Sequence, residues 1–146
     1  MPKILFICKG NNCRSQIAKA IYNRLTNSND ASSAGTHVDG DGETLEQFSK
    51  RPEVNSYTLD VMRDAGYDLS DKHQNQLTQD MVKGYNLIIS MAAKRYAPQW
   101  LAKAPNYMYW KITGPKGGSY AITKRAKDEV GRRVHELITA KTTDSK

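Results

Sequence analysis

Ile4-Leu5-Phe6-Ile7-Cys8-Lys9-Gly10-Asn11-Asn12-Cys13-Arg14-Ser15-Gln16-Ile17 is the stretch on which the fold turns. From Lys3 to Cys8 every residue after the first is apolar, without alternation. A run of that kind suits a central strand covered on both faces. Gly10 and Asn11 end it. From Arg14 to Leu25 the period changes: Ile17, Ile21 and Leu25 recur four apart, with Ala18 beside them. That spacing predicts an amphipathic helix, terminated by Asn27-Ser28-Asn29-Asp30. The chain therefore opens strand, short loop, helix.

Further along, Ala31 to Gly35 is a short strand candidate. Thr36 to Asn55 is rich in Gly, Asp and Glu and reads as a surface excursion with a short helix around Leu45 to Phe48. Tyr57 to Ala65 forms a helix through Leu59 and Met62, with Gly66 as its stop. Leu77 to Val82 adds a helical turn or two. Leu87 to Met91 is a second buried strand, and Tyr107 to Ile112 a third. Ala126, Val130, Val134, Leu137 and Ile138 make the stripe of a terminal helix, with Asp128–Arg132 and Glu129–Arg133 spaced as ion pairs on its exposed side. Alternating strands and helices predict a single doubly wound α/β domain, a four-stranded parallel sheet flanked by helices. The domain covers residues 1–141, and 142–146 form a frayed tail.

The chain has 146 residues, 25% charged and 38% hydrophobic, the make-up of an ordinary globular domain. No apolar run approaches the eighteen or so residues of a membrane span. The run Ile4 to Ile7 is too brief for a signal-peptide core. Cys8 and Cys13 are the only cysteines, too few for a disulfide scaffold and wrongly spaced for a zinc site. A reducing, cytoplasmic setting with at least one reactive thiol is expected. The net charge of +7 attracts anions. Basic residues are interleaved with acids, as in Lys124-Arg125-Ala126-Lys127-Asp128-Glu129, so no stripe for nucleic acid stands out.

The loop between the first strand and first helix carries the chemistry. Ligands of parallel α/β sheets bind at the carboxyl ends of strands. A short loop feeding a helix start turns backbone N–H groups toward one point and adds the positive end of the helix dipole. Gly10 permits close approach of the backbone. Arg14 offers a planar fork matched to two oxygens of a phosphate. A thiol among such donors is held as the nucleophilic thiolate, and the same donors suit the equatorial oxygens of a transferring phosphoryl group. Ser15 is placed to donate a hydrogen bond to Cys8.

Cys8-Lys9-Gly10-Asn11-Asn12-Cys13-Arg14-Ser15 resembles the signature loop of the low-molecular-weight protein tyrosine phosphatases. The likeness continues through Ser33-Ala34-Gly35-Thr36, Gly66-Tyr67-Asp68-Leu69-Ser70 and Leu87 to Met91, so it spans nearly the whole chain. It implies Cys8 as nucleophile, Lys9 to Arg14 as the phosphate-binding loop, Asn11 and Ser33 as its supports, and Ser15 as helper of the thiolate. It implies a phosphorylated protein or small phosphomonoester as substrate, a cysteinyl-phosphate intermediate, and no metal or cofactor. It also offers Cys13 as a partner that captures an oxidised Cys8; packing at the helix start is the plainer role.

One departure is pronounced. The family's general acid is the Asp of an Asp-Pro pair after the last strand, and here that place reads Thr113-Gly114-Pro115. Losing a general acid costs about 10²- to 10⁴-fold in rate. Asp39, Asp41 or Glu43 could substitute, the change could be particular to this chain, or the protein could mainly bind phosphorylated ligands. Lys72 takes the place where the family often has His, leaving His73 at the surface, with His37 and His135 structural or solvated. Tyr96, Tyr107, Tyr109, Trp110 and Tyr120 are core, rim or substrate contacts. Arsenate reductases share the loop, but their thioredoxin-coupled form needs two more cysteines and none follows Cys13; an external thiol would have to serve.

Overall fold

The computed structural model describes residues 2–115 and 118–144, with side chains through residue 140. Its centre is a four-stranded parallel sheet in the order β2-β1-β3-β4. The strands are β1 (Ile4–Cys8), β2 (Ala31–Gly35), β3 (Leu87–Ser90) and β4 (Tyr107–Tyr109). Helices α1 (Arg14–Thr26), α2 (Leu45–Ser49), α3 (Thr58–Asp64) and α4 (Tyr120–Asp144) complete the frame. The predicted fold class is the one found.

Every residue of β1 is buried, as its unbroken apolarity requires. Ile4, Phe6 and Cys8 face a core built with α1 and α4, where Ile17, Tyr22, Val130 and Val134 are fully buried. Leu5 and Ile7 face a second, smaller core with Leu77, Ile88 and Leu101, edged by Trp100. On that second face the helical cover is short. The face is covered by 3-10 turns at Asp80–Gly84 and Leu101–Lys103 and their neighbours. The helical turn expected over Leu77 to Val82 is accordingly displaced to Asp80–Gly84.

The element ends differ for physical reasons. β4 stops at Tyr109 rather than Ile112, although the Trp110 N–H still reaches the Ser90 carbonyl at 2.9 Å. Beyond it the Ile112 carbonyl serves another partner, described below. α4 begins at Tyr120, a turn and a half before the stripe that predicted it. Ser119 starts it, its hydroxyl accepting from the Ile122 N–H at 3.1 Å, and Thr123 is polar yet buried. The anticipated pairs on α4 are replaced. Arg132 meets Glu136 at 3.0 Å, Asp128 meets Lys127 at 3.0 Å, and Arg133 lies over the Trp110 ring at 6.0 Å. The backbone of α4 runs into the segment expected to fray, whose last two residues, Ser145 and Lys146, lie outside the described residues. No described helix is long and apolar enough to cross a membrane.

α1 and α4 pack against each other with Gly131 facing Ile21, whose Cδ1 would make ordinary contact, 3.6 Å, with a Cβ there. Ile17, fully buried between the sheet and this pair, tests the core. Ile17→Ala is expected to lower unfolding free energy by about 2–5 kcal/mol, read as a shifted urea midpoint with unchanged m-value.

Candidate active site

β1 and β3 are neighbours, while the chain leaves β1 for β2 on the other side. The carboxyl ends of β1 and β3 thus form the switch point where open α/β sheets take ligands. Cys8 ends β1 there, and the loop through Cys13 leads into α1.

Asn11 organises this loop. It is completely buried and takes the left-handed conformation, φ 55°, which Asn tolerates better than most residues. Its N–H points at Cys8 Sγ at 3.3 Å, and its Nδ2 donates to Ser15 Oγ at 2.8 Å. Its Oδ1 accepts from the Asn75 N–H at 2.7 Å and from Gln16 Nε2 at 3.2 Å. Ser15 Oγ lies 3.0 Å from Cys8 Sγ. Because that oxygen already accepts from Asn11, its hydroxyl hydrogen is available to an ionised Cys8.

Gln16, buried at the first turn of α1, also donates to the carbonyls of Asn11 at 3.2 Å and His73 at 3.0 Å. The loop is pinned from the side by β2: the Thr36 and His37 N–H groups reach the carbonyls of Cys8 at 3.0 Å and Lys9 at 2.8 Å. Gly35 is required for this approach, since a Cβ there would lie 2.8 Å from both the Asn11 nitrogen and the Lys9 carbonyl oxygen.

Arg14 is held by one end only. Its Nη1 donates to the Met91 carbonyl, and to that of Ile112 at 2.8 Å. Among the described residues no acceptor takes Nε or Nη2, so that edge can meet two oxygens of an oxyanion. Gly114 lies flat against the same guanidinium, where a Cβ would sit 3.2 Å from Arg14 Cζ.

A cleft of about 590 Å³ opens over the loop. Lys9, Arg14, Arg95 and Lys111 are its cations, and His37, Tyr96 and Tyr109 also line it. Lys9 does not curl into the loop: its Nζ sits 4.1 Å from the centre of the Tyr96 ring, with Arg95 over that ring at 4.7 Å. Gly10, Asn12 and Pro115 complete its floor and rim. No carboxylate lines the cleft among the described residues.

Several expectations need correcting here. Ser33 is buried beside Phe6 on β2, but its hydroxyl finds no hydrogen-bond partner, so its side chain does not brace the loop. Gln16 and Asn75 do that. The proposed substitute acids are occupied outside the cleft: Asp39 and Glu43 each meet Arg51 at 3.1 Å, and Asp41 accepts from the Gln76 N–H at 2.9 Å. His37 is exposed, as expected, but it also lines the cleft, its ring 5.6 Å from that of Tyr96. His73 is exposed and bonds the Gly42 carbonyl at 2.8 Å; it touches the loop's network only through its own carbonyl. Of the aromatics, Trp110 is core, Tyr107 edges the second core, and Tyr120 donates to Asp64 away from the cleft.

Cys13 is a buried neighbour of this chemistry. Burial pushes its thiol up to about 11, only partly offset by a hydrogen bond with Thr58. Among the described residues no group of His, Cys, Asp or Glu side chains could hold a metal ion.

The chain belongs to the low molecular weight phosphotyrosine protein phosphatase family, whose pattern it matches over residues 3–145. It is 28% identical over 138 residues to an arsenate reductase of Brevibacillus brevis, covering 92% of each chain. A glutaredoxin arsenate reductase of Synechocystis is 26% identical, with 94% of this chain and 97% of that one covered. Among solved structures, a low molecular weight protein tyrosine phosphatase from T. tengcongensis superposes with a TM-score of 0.76 at 22% identity, over 96% and 99% of the chains. An arginine phosphatase from Geobacillus stearothermophilus gives 0.78 at 20% identity, over 99% and 95%. The two superpositions establish a shared fold.

Two outcomes are expected of the loop. A thiol-alkylating reagent at pH 7–8 should modify Cys8 and spare Cys13, which stays protonated until the pH approaches its raised value of about 11; peptide mass mapping reads this. Gly114→Ala should raise the inhibition constant for inorganic phosphate several-fold, because its new Cβ presses on a guanidinium already fixed by two carbonyls.

Proposed function

We propose that this chain is a phosphatase that works through a cysteinyl-phosphate intermediate on Cys8. The observation that carries the reading is the environment of Cys8 Sγ. A serine oxygen lies at 3.0 Å and a backbone N–H at 3.3 Å, with a half-anchored arginine beside them. Such donors stabilise a thiolate and leave it aimed at a bound tetrahedral oxyanion.

In the first step the Cys8 thiolate attacks phosphorus, and the P–O bond to the leaving group breaks with its electron pair on oxygen. Arg14, through Nε and Nη2, and the loop N–H groups from Lys9 to Arg14 meet the equatorial oxygens. In the second step water attacks the phosphocysteine, and the thiolate departs with the S–P pair, steadied by the Ser15 hydroxyl. Asn11 holds Ser15 and the loop in place throughout. Nothing in these steps calls for a metal or cofactor. Substrates are phosphorylated proteins, phosphotyrosine among them, or small phosphomonoesters, met in the cytoplasm.

A second reading is favoured by the relatives that are arsenate reductases. Arsenate fits the same loop. The resulting cysteinyl arsenate would need an outside thiol for reduction, because Cys13 is the last cysteine of the chain. A non-catalytic phosphate-binding module is the third. Its support is Gly114 at the place of the family's general acid.

Hydrolysis of para-nitrophenyl phosphate separates these. Cys8→Ser is expected to lower kcat by more than about a thousandfold. Arg14→Lys should cost about a hundredfold, through loss of the fork. Turnover that survives Cys8→Ser would sink the phosphatase reading. Arsenate-dependent consumption of glutathione, with no ester hydrolysis, would put the reductase in its place. Tight phosphate binding without either activity would leave the binding module.

A further inference from the structure

The cleft is furnished to receive a leaving group that departs as an anion. A phosphate ester of a phenol or alcohol loses a basic oxygen, and that oxygen needs a proton as it goes. Here the place expected for the proton donor holds Gly114, where even a Cβ would sit 3.2 Å from Arg14 Cζ and press on the guanidinium. Asp39 and Glu43 are bound to Arg51, and Asp41 to the Gln76 N–H. Among the described residues the cleft contains no carboxylate at all.

It contains positive charge instead. Lys9 follows the nucleophile directly and lies over Tyr96, with Arg95 over the same ring. Lys111 lines the cleft beside Ile112, whose carbonyl anchors Arg14. These cations attract and stabilise negative charge as it develops beyond the transferred phosphoryl group.

We propose that the preferred substrates are acyl phosphates, the mixed anhydrides of a carboxylic acid with phosphate, over phosphate esters of phenols and alcohols. This rests on the Cys8 phosphatase reading above. A departing carboxylate has a conjugate acid near 4, against about 10 for a tyrosine phenol. It leaves without a proton. Cys8 thiolate forms the S–P bond as the bond from phosphorus to the acyl oxygen breaks, and the carboxylate takes the electron pair. Water then attacks phosphorus, the thiolate leaves with the S–P pair, and both protons of the water go with the dihydrogen phosphate that forms. The overall change is acyl phosphate dianion plus water to carboxylate plus dihydrogen phosphate.

Benzoyl phosphate and phenyl phosphate share a ring and differ chiefly in the basicity of the departing oxygen. After subtraction of the Cys8→Ser background, kcat/KM for benzoyl phosphate is expected to exceed that for phenyl phosphate by about 10²- to 10⁴-fold. Para-nitrophenyl phosphate should fall between them. The ratio should also survive His37→Asn, which removes the only imidazole lining the cleft among the described residues. Two substrates turned over within tenfold of each other, with Cys8 dependence intact, would overturn the acyl-phosphate assignment and leave the phosphatase standing. So would a tenfold or greater loss of phenyl phosphate turnover in His37→Asn, since it would make that imidazole the missing acid. Absence of Cys8 dependence on all three substrates would overturn both readings together.

Discussion

The site rests on one residue folded the unusual way. Asn11 at φ 55° turns the chain so that its N–H faces Cys8 Sγ while its side chain spends donor and acceptor in opposite directions. Toward α1 it orients the Ser15 hydroxyl; toward the segment beside β2 it receives the Asn75 N–H. The β1–α1 loop is thereby fastened to both its neighbours. A buried amide that satisfies its polar groups in this manner is costly to replace, because every lost partner leaves an unpaired group behind. The position of Cys8, the proposed nucleophile, is thus a property of a network that reaches from the first helix to residue 75.

Arg14 shows how closely the proposed phosphate site is bound up with the sheet. Its anchors are carbonyls just past β3 and β4, so the guanidinium ties three parallel chain segments together at their carboxyl ends. Gly114 lies against its face. Where the family resemblance led one to expect an acid, this chain offers backbone. The consequence is a cleft lined by cations and, among the described residues, by no carboxylate that could protonate what leaves. A lost acid function is a loss for a basic leaving group only; for an acidic one it changes little.

How much of this could be read beforehand differs from part to part. β1 and α1 were legible because the change from continuous apolarity to a spacing of four is abrupt, and no tertiary contact is needed to see it. The loop residues were legible because their chemistry is local: thiol, glycine, arginine and serine follow one another. The supports were not. Gln16 looks like any polar residue on a helix surface, yet it is 1% exposed and bonded to two loop acceptors. Asn75 contributes its backbone N–H, and Met91 and Ile112 contribute carbonyls, groups that every residue carries. Ser33 was expected to brace the loop, but its hydroxyl is buried without a hydrogen-bond partner. The start of α4 was missed because buried Thr123 interrupts the apolar stripe. Arg95, Lys111 and His37 enter the cleft from separate segments, a convergence visible only once the sheet order is known.

The two tryptophans stand on opposite faces of the sheet. Trp110 is 5% exposed and packs on Phe6 at 5.8 Å, two residues before the carbonyl that anchors Arg14. Trp100 edges the smaller core beneath the 3-10 turns. The protein thereby carries its own pair of optical probes, with no label to attach. One indole is linked through the backbone to the anchor of Arg14, and the other watches the thinly covered face. An emission change on filling the cleft belongs to the first, while access of a neutral quencher such as acrylamide to the second measures how often that face loosens.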